Sequence, residues 1–236
     1  MKIGVDGVLL GSWIQQVNVE NILDVGTGSG LIALMLAQKH PLANITAVEI
    51  EKEAALQAID NFTSSKFTNR FNVLIENFLN CKSDSKADSL IDQLSKSKFD
   101  IIVANLPYFN DGGVFEDNKR DLARSAKHLP LQDFIIKAEQ ILSISGSIYF
   151  IYPSVNLDQV MSIVKECNLS LETVVDIKGN RNSEVKRCLI KLSMTPNNLS
   201  HEDRVNFQRE ILTIEESRGN YTKQYKELCK DFYLKF

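Results

Sequence analysis

Histidine, cysteine and proline are scarce in this chain, and cations do not outnumber anions. Its 236 residues hold three histidines, His40, His128 and His201, and no His-Glu-x-x-His, so a catalytic metal is not expected. The four cysteines, Cys81, Cys167, Cys188 and Cys229, form no Cys-x-x-Cys pair, which removes a zinc ribbon and a dithiol redox motif. Cysteines scattered in this way read as reduced thiols of a cytoplasmic protein. No apolar run approaches the roughly 18 residues that a membrane span requires. The opening Met1-Lys2-Ile3-Gly4-Val5-Asp6 carries no apolar stretch of the signal-peptide kind, so neither a span nor a standard leader is expected. Lys and Arg number 27 against 30 Asp and Glu, for a net charge of −3. That excludes a generally basic coat for nucleic acid and leaves room only for a local basic patch. With 11 Gly and 5 Pro the chain is neither collagen-like nor of low complexity.

What is present is an ordinary globular mixture, 44% hydrophobic and 24% charged, enough for one domain with a small appendage. Short apolar runs alternate with stretches of helical spacing. Strands are expected at 21–25, 45–49, 72–75, 99–104, 147–152, 171–177 and 187–192, and helices at 32–38, 51–64, 90–96, 131–142 and 157–166. This alternation predicts an α/β fold, a doubly wound, seven-stranded, mostly parallel, Rossmann-like sheet. Its ligand site should lie at the carboxyl ends of the first strands. Only a turn, Lys178 to Ser183, separates the last two strands, which predicts an antiparallel hairpin at the sheet edge. The polar stretch 80–87 reads as a loop. Residues 1–196 are read as the main domain. Residues 197–236 are read as an extension packed on it, with a short strand at 211–214 and a short helix at 221–228.

The first strand runs into Asp24-Val25-Gly26-Thr27-Gly28-Ser29-Gly30. Glycines let the backbone turn sharply and let a ligand press against it, and the helix that follows offers unpaired N–H groups to an anion. A dinucleotide fingerprint needs Gly-x-Gly-x-x-Gly/Ala. Here the third glycine falls one residue early, and Leu31 stands where Gly or Ala belongs. Gly-x-Gly-x-Gly after an acidic residue instead resembles class I S-adenosylmethionine (SAM) methyltransferases. Glu49 ends the second strand, where a carboxylate can accept both hydroxyls of a ribose, and Ile50 can pack on an adenine face.

The fourth strand runs into Asn105-Leu106-Pro107-Tyr108-Phe109. An Asn-x-Pro-Tyr there resembles the catalytic motif of methyltransferases acting on planar nitrogens, and Asn-Leu-Pro-Tyr is similar to the form in ribosomal RNA adenine dimethyltransferases. The chemistry is coherent. The lone pair of an adenine N6 amine is delocalised into the ring, so the nitrogen is a weak nucleophile. The Asn105 side-chain oxygen and the Leu106 carbonyl can each accept one N6–H and stabilise the positive charge that develops. Pro107 fixes the backbone, and Tyr108 can stack on a flipped base.

The whole chain resembles the bacterial tRNA (adenine-37-N6)-methyltransferases that act on a valine tRNA. Residues 1–13 are similar to that family's M-K-x-G-T-D-G-x-L-L-G-A-W, 24–36 to its D-x-G-T-G-S-G-L-x-A-L-M-L, Arg120 to Arg124 to its R-x-x-A-R, and Asp231 to Leu234 to its ending. Val5 replaces the family's Thr, and Asn77 stands at an often acidic position, where its side-chain oxygen can still accept a bond from the cofactor's adenine amine. Members carry a few dozen residues ahead of the opening segment, which implies that part of the site's wall lies upstream of Met1. The resemblance implies SAM as cofactor, tRNA as partner, a cytoplasmic monomer or weak dimer, and no membrane or metal. The cofactor set is then Asp24, Gly26, Thr27, Gly28, Gly30, Glu49, Ile50, Asn77, Phe78 and Asn105. The catalytic set is Asn105, Leu106, Pro107 and Tyr108, with Phe109, Arg120 and Arg124 toward the substrate. The motif alone leaves open a protein-glutamine N5-methyltransferase and a silent SAM-binding module; an NAD-dependent dehydrogenase fits least.

Overall fold

The computed structural model describes residues 4–79, 98–106, 129–195 and 199–235. A helix α1, Val5–Trp13, precedes the first strand. There follow β1 (Asn21–Val25), α2 (Leu31–Lys39), β2 (Asn44–Glu49), α3 (Lys52–Thr63), β3 (Phe71–Ile75) and β4 (Phe99–Asn105). Next come α4 (Leu131–Ile141), β5 (Leu142–Pro153), α5 (Leu157–Glu166), β6 (Leu169–Asn180), β7 (Arg187–Met194), β8 (Gln208–Ser217), β9 (Asn220–Tyr221) and α6 (Lys223–Cys229). The expected helix at 90–96 and loop at 80–87 lie outside the described residues.

All the strands join one sheet in the order β3-β2-β1-β4-β5-β7-β6-β8-β9. The strands β3, β2, β1, β4 and β5 run parallel. The middles of β2, β1, β4 and β5 are buried on both faces, so they read in the sequence as apolar runs such as Ile101-Ile102-Val103-Ala104, while β3 at the edge is buried only at Leu74. The order reverses between β1 and β4, which makes the carboxyl ends of these two strands the crevice of the fold.

Two expectations need correction. The described sheet has nine strands rather than seven, and the antiparallel β6–β7 hairpin is not at its edge. Strand β8 adds in parallel to β6, pairing Thr173 with Gln208 through to Asn180 with Glu215. It carries the exposed Gln208, Arg209 and Glu210 before Leu212 and Ile214 turn inward, so alternation marks only its middle. The pairing is fixed from the side as well: the Arg209 guanidinium grips the nearly buried Asp176 of β6 through Nε, 2.9 Å from Oδ2, and Nη2, 3.3 Å from Oδ1.

Helix α1 is buried from Gly7 through Ser12 because it is wedged between the sheet, α2 and α6. Gly11 lets α2 come close: a Cβ there would lie 2.8 Å from the Met35 sulfur. The α1 carboxyl end is capped from α2 by the Lys39 ammonium, which donates to the carbonyls of Gly11 (3.2 Å), Ser12 (2.8 Å) and Ile14. Burial there lowers the Lys39 pKa to about 8. Cys167, Cys188 and Cys229 are free and buried, and burial pushes the Cys167 thiol to about 11 and that of Cys188 to about 12, which keeps them unreactive.

Tyr225 of α6 closes this layer. It is 1% exposed, and its hydroxyl lies 2.9 Å from that of Tyr233. Tyr225→Ala should lower the unfolding free energy by about 3–5 kcal/mol in a urea titration, from the cavity it leaves.

Candidate active site

The crevice is built from the turn after β1. Gly26, Gly28 and Gly30 have φ of +70°, +58° and +84°, so the left-handed conformation recurs at every second residue. That is why the glycines fall in the Gly-x-Gly-x-Gly pattern. Gly30 is constrained twice over, because a Cβ there would sit 2.4 Å from the ring of Phe62. That ring is buried and stacked on Phe71 at 3.9 Å, so it has no room to yield.

Strand β2 ties the turn down. The N–H groups of Gly26 and Thr27 both donate to the Val48 carbonyl, at 2.8 and 3.1 Å. The next residue, Glu49, is 8% exposed, and its carboxylate accepts the Gly28 N–H on Oε2 and the Glu51 N–H on Oε1, both at 2.9 Å. Each oxygen keeps lone-pair capacity for a further donor such as a ribose hydroxyl. From α3, the Asn61 amide donates to the Ser29 carbonyl at 2.8 Å, a link that sequence spacing does not disclose.

Asp24 lies beneath the turn, 1% exposed. Its Oδ2 accepts the Thr27 hydroxyl at 2.7 Å and the Ala33 N–H at 3.2 Å, while Oδ1 has no partner among the described residues. Thr27 thus presents its hydroxyl to Asp24. Burial dominates the electrostatics: it raises the Asp24 pKa to about 7, the bonds from Thr27 and Ala33 oppose the rise, and the Glu49 charge adds to it.

Register places the remaining residues along one rim. Val25 pairs with Val48 on one side and Ala104 on the other, and Glu49 pairs with Ile75. Glu49 and Asn105 therefore flank Gly26, each about 4.8 Å away by the strand spacing. Asn77 follows β3, and its Oδ1 accepts the Leu79 N–H at 2.9 Å. Ile50 is 39% exposed beside Glu49, as a platform for a flat ring requires, and Asn105 is exposed at the end of β4. The side chains of Leu106 and Phe78 are buried in the core, Phe78 with its ring centroid 6.0 Å from that of Phe134. Any part these two take in the site falls to their backbone. Pro107, Tyr108, Phe109, Arg120 and Arg124 lie outside the described residues.

Two measurements test this geometry. Gly30→Ala should cost about 2–4 kcal/mol of stability in a denaturant titration, from a strained φ and the clash with Phe62. Asp24 has a folded pKa above its unfolded value, so its contribution is fully present below about pH 4 and is lost as pH rises through about 7. Asp24→Asn should flatten the fall in stability across that window, by up to about 1.4 kcal/mol per pH unit.

Comparison with known proteins agrees with this architecture. Residues 5–169 match the family described as methyltransferase small domain. The chain is 36% identical over its full length to the tRNA1(Val) (adenine(37)-N6)-methyltransferase of Christiangramia forsetii, covering 92% of that protein. It is 37% identical to the Parabacteroides distasonis protein of the same name, again covering 92% of it. Among solved structures, a predicted O-methyltransferase from Agrobacterium tumefaciens superposes with a TM-score of 0.70 at 17% identity, over 96% of each chain. A putative RNA methyltransferase from Pyrococcus horikoshii does so at 0.54 and 18%, over 82% of each. At such identities these structures speak for the fold alone. The glycine turn, the crevice and full-length relatives above 30% identity converge: this chain belongs to the methyltransferase small domain family, in the group of the tRNA1(Val) (adenine(37)-N6)-methyltransferases.

Proposed function

We propose that this protein transfers a methyl group from SAM to the exocyclic N6 amine of an adenine in tRNA, at position 37 of a valine tRNA. The observation that carries the reading is the rim itself, with Glu49 and Asn105 on either side of the Gly26 turn. The full-length relatives supply the choice of tRNA among nitrogen substrates.

The residues present fit the cofactor. Nothing lies within 4 Å of a Cβ built on Gly26, so the turn is open above its backbone. Glu49 offers acceptors for the ribose hydroxyls, Ile50 an apolar face for the adenine, and the Asn77 side chain a polar edge. The unpaired Oδ1 of Asp24 is a buried acceptor for a donor brought in by a ligand. SAM, when bound, supplies a methyl on a positively charged sulfur that is already a good leaving group.

Asn105 does the substrate's part. Its side-chain oxygen and the Leu106 carbonyl accept the two N6–H groups, which orients the nitrogen lone pair and favours the positive charge that grows on it. Alignment of the nitrogen toward the methyl carbon supplies most of the rest of the rate, and no strong general base is required. Pro107 and Tyr108 complete the corner in this reading, with Tyr108 stacking on the extruded base, and Phe109, Arg120 and Arg124 face the RNA. Residues 197–236 act as an extension of the same domain. The buried, unreactive thiols accord with a cytoplasmic location, where tRNA is found.

Labelled methyl from SAM should appear as N6-methyladenosine in unmodified tRNA after nucleoside analysis. Label in a protein amide and none in RNA would overturn the reading. Asn105→Ala should lower kcat by about 100- to 1,000-fold and leave the SAM dissociation constant within about threefold. Loss of both together in a folded variant would contradict the role given to Asn105.

A further inference from the structure

Strands β6 and β8 run parallel to β5, so the turn joining β6 to β7 projects from the same end of the sheet as Asn105 and the glycine turn. Counting β4, β5, β7 and β6 at about 4.8 Å each, this turn lies roughly 10–14 Å to the side of Asn105, and because Val175 is level with Asn105, Asn180 at its tip stands a further five residues, about 16 Å, beyond that level. Residues 178–187, Lys-Gly-Asn-Arg-Asn-Ser-Glu-Val-Lys-Arg, carry four cations and one carboxylate in a chain whose net charge is −3.

Exposed cations without an ion pair among the described residues occur elsewhere too, such as Lys52, Arg218 and Lys223, and what sets this turn apart is four cations within ten residues at the crevice end of the sheet. Elsewhere on the same half of the sheet, Lys165 pairs with Glu202, Lys191 with Glu172, Arg209 with Asp176 and Lys230 with Glu227. Arg187, at the base of the turn, pairs with Asp6 of α1 at 2.5 Å. Lys178, Arg181 and Lys186 form no ion pair among the described residues, and Arg181 and Lys186 are exposed.

The turn is also rigidly set. The Ser183 N–H donates to the Asn180 carbonyl at 3.1 Å, and the Asn180 N–H to the Ser183 hydroxyl at 3.2 Å. The Asn182 N–H donates to the Asn180 side chain at 2.9 Å. Ser154, just past β5, clamps the returning strand: its hydroxyl donates to the Val185 carbonyl at 2.7 Å and its N–H to the Lys186 carbonyl at 3.1 Å. Clustered cations on a backbone fixed at the crevice end of the sheet are what a polyanion requires, since phosphate contacts set register and orientation without reading sequence.

We infer that the β6–β7 turn is an RNA-positioning element, in which Lys178, Arg181 and Lys186 hold backbone phosphates a few nucleotides away from the adenine presented to Asn105. The inference rests on the proposed RNA substrate and assigns part of its docking surface.

The test uses the full chain and a synthetic anticodon-arm RNA. Binding is measured from 50 to 300 mM salt for the wild type, for Arg181→Gln/Lys186→Gln, and for Lys165→Gln/Lys230→Gln, an equal charge change away from the turn that breaks only surface pairs. The turn variant should bind about tenfold more weakly, with the slope of log Kd against log salt reduced by about 1.5, an unchanged SAM affinity, and kcat retained at saturating RNA. The control should stay within about twofold of wild type. An unaltered salt slope in the turn variant, or an equal loss in the control, would overturn the inference. Methyl transfer by the wild type to whole tRNA reports separately on the substrate assignment. A wild type that methylates RNA while the turn variant binds normally defeats only the turn.

Discussion

The site depends on a carboxylate that does two jobs at one place. Glu49 ends β2, and its oxygens hold the N–H groups of Gly28 and Glu51, one on the turn after β1 and one at the entry to α3. A chain segment with positive φ at every second residue has little to hold it together internally. It keeps its shape because the backbone of β2 and this side chain supply its bonds. The same carboxylate faces the crevice with lone pairs left over. Support of the loop and the ribose contact proposed above therefore fall to one group, and a change at Glu49 loosens the turn in either case.

Around that point the molecule divides its labour along the sheet. The parallel half, β3 to β5, supplies the crevice, with Asn77, Glu49, Gly26 and Asn105 emerging in spatial order from neighbouring strands. The other half, β7 to β9, continues the same sheet outward, and the β6–β7 turn projects from its crevice end. One continuous sheet thus fixes the position of that turn relative to Asn105.

The sequence made the parallel strands legible because doubly buried strands are apolar throughout, and the glycine spacing was legible because left-handed φ admits few other residues. The placement of Glu49 and Asn105 at strand ends was legible for the same reason, since each closes an apolar run. Other features depend on partners far away in the chain. Strand β8 is set by its pairing to β6 and by Arg209 on Asp176, not by alternation, so only its middle reads as a strand and the hairpin seems to be an edge. Helix α1 is apolar nearly all round because three neighbours cover it, which removes the one-sided stripe that identifies a surface helix. Thr27 reads as a cofactor contact, yet its hydroxyl serves a buried carboxylate. Phe78 reads likewise, but its ring belongs to the core.

The burial of α1 against α6 has a consequence for the timing of biogenesis. The helix at Val5–Trp13 is synthesised roughly 210 residues ahead of the helix that covers it, Lys223–Cys229. At synthesis rates of about 5–20 residues per second, α1 waits roughly 10–40 s for its cover. During that interval Leu9, Leu10 and the inner face of the sheet cannot be fully shielded. The nascent chain is most exposed to aggregation and to proteases in that window.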